Sequence, residues 1–410
     1  MPAILYVASE KRMNRLNVIG LGPGSRKMLT QEALCAIENA DLVWCAERNG
    51  DLVPPEKRRP LTPFKSAMDG MAAALEEGLK VSVLLSGDTG LYSMLPLLKN
   101  RFGQEKLNVV CGISSLQALC ARLAVSWQDA AILSAHGRAL SENALCHYAR
   151  TKPKTFVLLD DKRDPKWVRD ALEQGGLNAL SLMIGERLSY DDERVGPYED
   201  RPYDALSAAL IINDAPQTAQ RTTALSDDSF IRGKTPMTKS EIRAQAILKM
   251  ELTPDAVVWD VGAGTGSVSV ECALNCPLGQ VYAVERDREA TELIRLNKEK
   301  FHALNIQVVA GSAPEILEGL PAPDCVFLGG TGGETKEILK KLESFGKRIR
   351  VCATAVTMES MSLLTQALSG CADFSAVQIA VSRLEKVGSY HMFRAQNPVC
   401  IFAATLEAKQ

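Results

Sequence analysis

The sequence predicts an α/β protein of two domains, the second of which is Rossmann-like with a seven-stranded sheet. Three observations predict this. The chain has 410 residues, more than one hydrophobic core usually serves. Short apolar runs alternate with helical patterns on both sides of a polar stretch at 213–236. Each half also carries a glycine-rich turn directly after a predicted strand.

Composition and charge narrow the function classes. Hydrophobic residues make up 46% of the chain and charged residues 23%, and the formal net charge is −2. A chain without a strong positive field is not expected to bind nucleic acid or an anionic membrane. The apolar start at 1–8 is too short for a signal peptide, and no apolar run reaches the length of a membrane span. We therefore expect a cytoplasmic protein.

The cysteines and histidines predict neither a metal site nor disulfides. Eleven cysteines are scattered without a Cys-x-x-Cys pair, and the chain has only four histidines. Reduced thiols in the cytoplasm are the simpler interpretation.

The first half, residues 13–212, reads as one α/β domain. Its predicted strands are Asn17–Gly20, Val81–Leu85, Leu107–Val110, Ala130–Ser134, Thr155–Leu159 and Ala205–Ile212. Residues 213–236 are predicted to be a linker because polar and turn-forming residues replace the alternating pattern there.

Residues 237–410 read as the second domain. Its predicted strands are Val257–Val261, Val281–Glu285, Val308–Val309, Cys325–Leu328 and Ile349–Ala353. Predicted helices begin at Ser267, Arg288 and Glu334, and three further segments, at 358–368, 374–381 and 399–405, complete a count that suits seven strands.

The sharpest local signal is the turn Gly262-Ala263-Gly264-Thr265-Gly266, which follows a buried strand and opens a helix. Glycines let the backbone approach a ligand, and a helix N-terminus offers free N–H groups. Glu285 follows at the end of the next strand, where a carboxylate can accept the hydroxyls of a ribose. The Gly-x-Gly-x-Gly spacing and the preceding Asp260 favour S-adenosylmethionine over a dinucleotide.

This half resembles the decarboxylating precorrin methyltransferase family, which modifies carbon 15 of the corrin precursor. The resemblance rests on residues 236–243, on the glycine turn, on Gly329-Gly330-Thr331-Gly332-Gly333-Glu334 and on Asn397-Pro398-Val399. It implies a class I methyltransferase fold. The positions that it implies contact S-adenosylmethionine are Thr238, Gly262, Ala263, Gly264, Thr265, Gly266, Glu285 and Ala313.

The first half carries a different turn, Gly20-Leu21-Gly22-Pro23-Gly24. Pro23 argues against a dinucleotide fingerprint because it removes an N–H donor and biases Gly22 away from helical geometry. The helix is therefore expected to start later, capped by Thr30.

Three loops that follow strands, at 86–92, 111–115 and 134–138, accompany this turn. Together they resemble the tetrapyrrole methylase family, and within it the branch that methylates carbon 5 of the corrin precursor. The resemblance implies two α/β lobes with S-adenosylmethionine folded in the cleft between them. The implied contacts are Pro23, Ser86, Gly87, Asp88, Leu91, Ser114, Ser115 and Leu159; Thr89-Gly90 departs from the proline that usually follows the Gly-Asp pair.

Five cationic or polar residues are candidate contacts for the carboxylates of a macrocyclic substrate: His136, Arg138, Lys239, Arg243 and Arg394. The alternative is a satisfied polar pair at a strand end for the first two and solvated surface charges for the other three. No catalytic residue is assigned. Tyr390, His391 and Glu334 are candidates for proton handling that also read as structural residues.

Taken together, the resemblances imply a bifunctional transferase of cobalamin biosynthesis. It would hold two S-adenosylmethionine molecules per chain, methylate carbons 5 and 15 of a small-molecule tetrapyrrole, precorrin-6B or its cobalt form, and decarboxylate the ring C acetate. Both families also suggest a homo-oligomer.

The alternatives are a methylase of RNA or protein and a nicotinamide-dependent oxidoreductase. An aromatic content of 5% and the absence of a basic stripe disfavour RNA, and the two glycine turns disfavour a nicotinamide.

Overall fold

A computed structural model describes residues 15–137, 140–217 and 222–408. The chain divides into two compact units. The first comprises residues up to 140, 152–169 and 179–215, and the second comprises 141–151, 170–178 and the chain from 216 onward.

The first unit opens with a five-stranded parallel sheet in the order β3-β2-β4-β1-β5. Its strands are β1 (Leu16–Gly20), β2 (Leu42–Cys45), β3 (Arg58–Pro60), β4 (Val81–Leu85) and β5 (Leu107–Val110). Apolar side chains of β1 and β4 are buried on both faces, as expected of strands covered by helices on two sides.

A second sheet follows in the order β6-β7-β10-β8-β9 and is mostly antiparallel. Its strands are β6 (Ala130–Ser134), β7 (Lys154–Leu158), β8 (Ser181–Glu186), β9 (Arg194–Pro197) and β10 (Ser207–Ile212). Two separate sheets confirm the predicted two-lobed architecture.

The helices up to residue 174 are α1 (Gln31–Glu38), α2 (Phe64–Glu76), α3 (Leu95–Phe102), α4 (Ser115–Arg122), α5 (Glu142–Thr151) and α6 (Pro165–Gln174). The Thr30 hydroxyl accepts a hydrogen bond from the Ala33 amide at 3.1 Å and caps α1. The glycine turn therefore does not open a long helix, as the position of Pro23 predicted.

The second unit contains a seven-stranded sheet in the order β13-β12-β11-β14-β15-β19-β16, which confirms the predicted Rossmann-like fold. Its strands are β11 (Val257–Val261), β12 (Gln280–Glu285), β13 (Ile306–Ala310), β14 (Cys325–Leu328), β15 (Ile349–Ala355), β16 (Ala372–Ile379) and β19 (Val399–Leu406). Strands β11 to β15 are parallel, and β19 pairs antiparallel with β15 and β16. The accompanying helices are α7 (Ser240–Met250), α8 (Ser267–Asn275), α9 (Arg288–Lys300), α10 (Thr335–Ser344) and α11 (Met358–Leu368).

A two-stranded hairpin, β17 (Ser382–Val387) and β18 (Tyr390–Ala395), was not predicted. It bears exposed apolar side chains, among them Leu384, Met392 and Phe393. The alternation that marks a half-buried strand is missing because residues on both of its faces are exposed.

Residues 222–236, which were predicted to belong to a linker, pack against the second unit. Phe230 is 4% exposed and belongs to a hydrophobic cluster of that unit. The Asn297 side chain bonds the amide and the carbonyl of Ile231 at 2.7 and 3.0 Å. This stretch is therefore part of the second unit's packing.

No helix in the described part of the chain is long and apolar enough to cross a membrane.

Candidate active sites

The first unit contains a cleft of about 520 Å³, lined by residues that follow the strands of its two sheets. The turns that follow β1 and β4 lie side by side in this cleft and are joined by two backbone hydrogen bonds. The amide of Gly22 donates to the Gly87 carbonyl at 3.1 Å, and the amide of Gly87 donates to the Gly22 carbonyl at 2.8 Å. Gly22 and Gly87 have positive φ angles of 75° and 72°. A Cβ at Gly87 would meet no atom within 4 Å, so the backbone there faces open space that a ligand could use.

Asp88 joins the turn after β4 to the turn after β5. Its carboxylate accepts the Gly90 amide at 2.8 Å and the Gly112 amide at 3.1 Å. The Ser93 hydroxyl also bonds the carbonyl of Thr89. The loop that lacks the family's usual proline is thus held by side-chain hydrogen bonds.

Ser114 caps α4 through a capping box with Gln117: its hydroxyl accepts the Gln117 amide at 3.1 Å, while the Gln117 side chain accepts the Ser114 amide at 2.9 Å. Ser114 and Ser115 both line the cleft.

The structure brings together all eight positions that the resemblance proposed as cofactor contacts in this half. The cleft is lined by Pro23, Ser86, Gly87, Asp88, Leu91, Ser114, Ser115 and Leu159. His136 lines the same cleft, whereas Arg138 lies outside the described residues.

Sequence reasoning missed several polar residues of this cleft, among them Arg48, Asn49, Asp160, Asp161 and Tyr190. Arg48 and Asn49 follow β2, a four-residue strand that was not predicted. Identifying that strand would have placed both residues at the carboxyl edge of the sheet, where ligands bind.

The second unit contains a cavity of about 220 Å³ at the carboxyl ends of β11, β12, β13 and β14. Glu285 is central to it. Its Oε2 accepts the Gly264 amide at 2.8 Å, and its Oε1 accepts the amides of Arg286 and Asp287 at 2.9 and 3.0 Å. The carboxylate is therefore fixed in place by three backbone donors while it lines the cavity.

The two glycine segments of this unit lie against each other. A Cβ at Gly262 would fall 2.4 Å from the Gly330 carbonyl oxygen, whereas a Cβ at Gly330 would meet nothing within 4 Å. Gly262 is thus required for the close approach of two backbones, and Gly330 leaves open space beside the cavity.

Of the predicted cofactor contacts in this unit, Gly262, Glu285 and Ala313 line the cavity. Thr238 and residues 263–266 do not. Thr265 is 1% exposed, and a Cβ at Gly266 would meet Ile294 at 3.1 Å, so this end of the turn faces the protein interior. The cavity also contains Arg286, Glu315 and Glu334, of which only Glu334 was a candidate residue.

Beneath the turn, Asp260 is fully buried at the end of β11. The Ser269 hydroxyl donates to its Oδ2 at 2.5 Å, and burial raises its pKa to about 7.

The structure corrects the prediction for Arg243, whose side chain is fully buried. Its Nε lies 2.5 Å from Glu271 Oε1, and its Nη atoms donate to the carbonyls of Thr238 and Leu225 at 2.6 Å each. Asp227 lies 3.4 Å from Nη1. Because every face of the guanidinium has a protein partner, Arg243 is a structural residue and is not available to a substrate.

Lys239 is half-buried directly before α7. Arg394 is exposed on the hairpin and pairs with Glu385 at 3.2 Å. Tyr390 and His391 lie on the same exposed strand and do not line the cavity.

Comparisons with known proteins match one family to each half of the chain. Residues 15–198 match the family of tetrapyrrole (corrin/porphyrin) methylases, and residues 228–406 match the precorrin methyltransferase domain. A probable cobalt-precorrin-6B C(15)-methyltransferase (decarboxylating) of Pyrobaculum calidifontis is 41% identical over 187 residues, which are 45% of this chain and 96% of that protein. The chain belongs to the precorrin methyltransferase family.

Another relative in this family covers both halves. The precorrin-6Y C(5,15)-methyltransferase [decarboxylating] of a Sinorhizobium species is 28% identical over 397 residues, which are 94% of each chain. A crystal structure of a precorrin-6Y C5,15-methyltransferase from Geobacter metallireducens is 35% identical, with a TM-score of 0.41, over 45% of this chain and 97% of that one. Methyltransferases of this family use S-adenosylmethionine.

Proposed function

We propose that the chain is a bifunctional methyltransferase of cobalamin biosynthesis, which methylates carbons 5 and 15 of precorrin-6B or its cobalt form and decarboxylates the ring C acetate. The observation that carries this proposal is that each compact unit has its own cavity at strand ends. The relative that matches both halves is named for both carbons and for decarboxylation.

The residues of both cavities fit S-adenosylmethionine. In the first, the backbone at Gly87, between Ser86 and Asp88, faces open space that a ligand could fill. Ser114 and Ser115, in the loop after β5, also line this cleft. In the second, the fixed Glu285 carboxylate can accept ribose hydroxyls beside Gly262 and Ala313. We propose one cofactor molecule per cavity, and hence two per chain.

When bound, S-adenosylmethionine supplies an electrophilic methyl group. The task of the protein is then to hold an enamine-like carbon of the macrocycle in line with that group, and such alignment can supply roughly 7–11 kcal/mol of the barrier. No general base is needed to form the new carbon–carbon bond. Two differently shaped cavities suit two ring positions of one substrate.

The decarboxylation needs an electron sink for the pair left by departing carbon dioxide, and the conjugated ring of the substrate can accept it. The chain's part is to bind and orient the acetate. Glu334 and Arg286 are the charged side chains of the second cavity that lie beside the glycine segment 329–333.

The direct test is to incubate the purified chain with S-adenosylmethionine and precorrin-6B, once metal-free and once cobalt-loaded, and to analyse the product by mass spectrometry. We expect two added methyl groups and the loss of one carboxyl group with at least one of the two substrates. An unchanged macrocycle in both reactions would refute the proposal.

Calorimetric titration with S-adenosylhomocysteine tests the two-site proposal separately. We expect two equivalents per chain. A single equivalent that is lost with a substitution in only one unit would show that one cavity does not bind the cofactor. We further propose a cytoplasmic homo-oligomer, in keeping with eleven free thiols and an apolar exposed hairpin.

A further inference from the structure

Arg48 is an unusual group in the cleft of the first unit. It is the only lysine or arginine among the described residues that line this cleft, which also contains Asp88, Asp160 and Asp161. Its Nη2 donates to the Ser86 hydroxyl at 2.9 Å. Arg48 forms no ion pair with any residue that the structure describes. The guanidinium therefore keeps most of its donors for a ligand.

The position of Arg48 in the sheet separates it from most of the proposed cofactor contacts. In the order β3-β2-β4-β1-β5, the loops after β1, β4 and β5 carry Pro23, Ser86 to Leu91, and Ser114 and Ser115. Arg48 follows β2, on the other side of β4. Arg48 therefore lies on the β2 side of the cleft, next to the proposed cofactor loop after β4 and away from those after β1 and β5.

A second arginine, Arg58, stabilises the turn that carries Arg48 through hydrogen bonds to its backbone carbonyls. Arg58 donates through Nη2 to the carbonyls of Gly50 at 2.5 Å and of Val53 at 3.0 Å. These two carbonyls lie at the C-terminal end of the 3-10 helix Glu47–Leu52. Arg58 is a positioning residue, since it holds the turn without lining the cleft.

We propose that Arg48 binds a carboxylate of the macrocyclic substrate in the cleft of the first unit and so sets the substrate's orientation for methylation at carbon 5. The macrocycle carries several acetate and propionate groups, and a guanidinium pairs with a carboxylate through two parallel hydrogen bonds. Through Ser86, the same side chain links the substrate to the proposed cofactor loop. The inference rests on the proposed function of this cleft.

The test compares Arg48→Ala, Arg48→Lys and Arg48→Gln in the full chain. The first measurement is the dissociation constant of precorrin-6B in the presence of S-adenosylhomocysteine, followed by absorbance and fitted with one macrocycle site in each unit; the constant of the first unit is compared. The second is the KM for the macrocycle in carbon-5 methylation. Loss of a charged hydrogen-bond partner should raise both constants about tenfold or more in Arg48→Ala and Arg48→Gln. Arg48→Lys keeps the charge but cannot donate two parallel hydrogen bonds, so its dissociation constant and KM should lie between those of these variants and the wild type.

Three controls separate this role from loss of folding. Arg101→Ala removes an exposed arginine of the same lobe that pairs with Asp69 and lies outside the cleft, and it should leave both constants unchanged. Cofactor affinity of the first cleft should change less than about threefold in all variants. Carbon-15 methylation by the second unit serves as an internal standard.

The inference would be overturned if the dissociation constant and the KM for the macrocycle stay within about twofold of the wild type in Arg48→Ala and Arg48→Gln. A tenfold loss that is fully explained by weaker cofactor binding would also overturn it. A wild-type chain that does not methylate carbon 5 would instead refute the proposed function of the cleft.

Discussion

The Gly264 amide donates to Glu285 Oε2 at 2.8 Å, so the glycine turn after β11 is tied to the end of β12 by the same carboxylate that faces the cavity. Glu285 thereby shapes the turn and also presents a hydrogen-bond acceptor to a ligand. A substitution at this position removes both functions at once.

We predict that Glu285→Ala lowers kcat/KM for carbon-15 methylation and decarboxylation about 100-fold or more. The variant loses the proposed hydrogen bonds to the ribose hydroxyls of the cofactor together with the acceptor for three backbone amides. Carbon-5 methylation should keep its wild-type rate. The two products are distinguished by mass spectrometry. Equal loss of both activities in a folded variant would contradict independent sites.

Asp88→Ala is the reciprocal experiment. The amides of Gly90 and Gly112 would lose their acceptor, and the turns after β4 and β5 would no longer be joined. We expect carbon-5 methylation to fall about tenfold or more while carbon-15 methylation is retained. Asp88→Asn, which keeps one acceptor oxygen, should be less impaired. A wild-type carbon-5 rate in Asp88→Ala would show that this loop does not depend on the carboxylate.

The buried pair of Arg243 and Glu271 predicts a large loss of stability on substitution. Arg243→Met leaves a fully buried carboxylate without its cation and should lower the free energy of unfolding by about 3–5 kcal/mol. Urea denaturation measures the change. Arg295→Met, which removes an arginine from an exposed pair with Glu292, should change it by less than about 1 kcal/mol. Similar effects of the two substitutions would exclude the structural role of Arg243.

Asp260 predicts a pH dependence of stability. Its pKa is about 7 in the folded protein and about 3.9 in an unfolded chain, so the folded state holds the proton more tightly. This group's contribution to stability is therefore fully present below about pH 4, is lost as the pH rises to about 7, and is constant above that. Hydrogen exchange of the β11 amides at pH 5 and pH 8 measures it. Between pH 5 and pH 8, the protection of these amides should decrease less in Asp260→Asn than in the wild type. An equal decrease in the two proteins would show that Asp260 does not cause the pH dependence.

Local patterns predicted the parts of both sites that depend on neighbouring residues in the chain. Glycine turns after apolar strands, and Thr30 before α1, are encoded within a few residues and were found where expected. The eight contacts proposed for the first half also share one cleft. Seven of them follow β1, β4 and β5, whose carboxyl ends lie at one edge of a parallel sheet, whereas Leu159 follows β7 of the second sheet.

Features that depend on distant residues could not be predicted in this way. Arg243 lies in a charged, polar segment that reads as surface, and its burial depends on Glu271 in another helix. Arg48 was missed because β2 is only four residues long. The hairpin was missed because neither of its strands alternates between buried and exposed residues.

The buried guanidinium of Arg243 also determines where the gene could be cut to express the C-terminal half alone. A fragment that starts at Met237 would lose the Leu225 carbonyl and the Asp227 carboxylate, together with the backbone amides of Ala224 and Leu225 that bond Glu271. In such a fragment, Arg243 and Glu271 would be buried without these partners. A fragment that starts before residue 222 would keep these partners of Arg243 and Glu271, and is therefore the better of the two starting points.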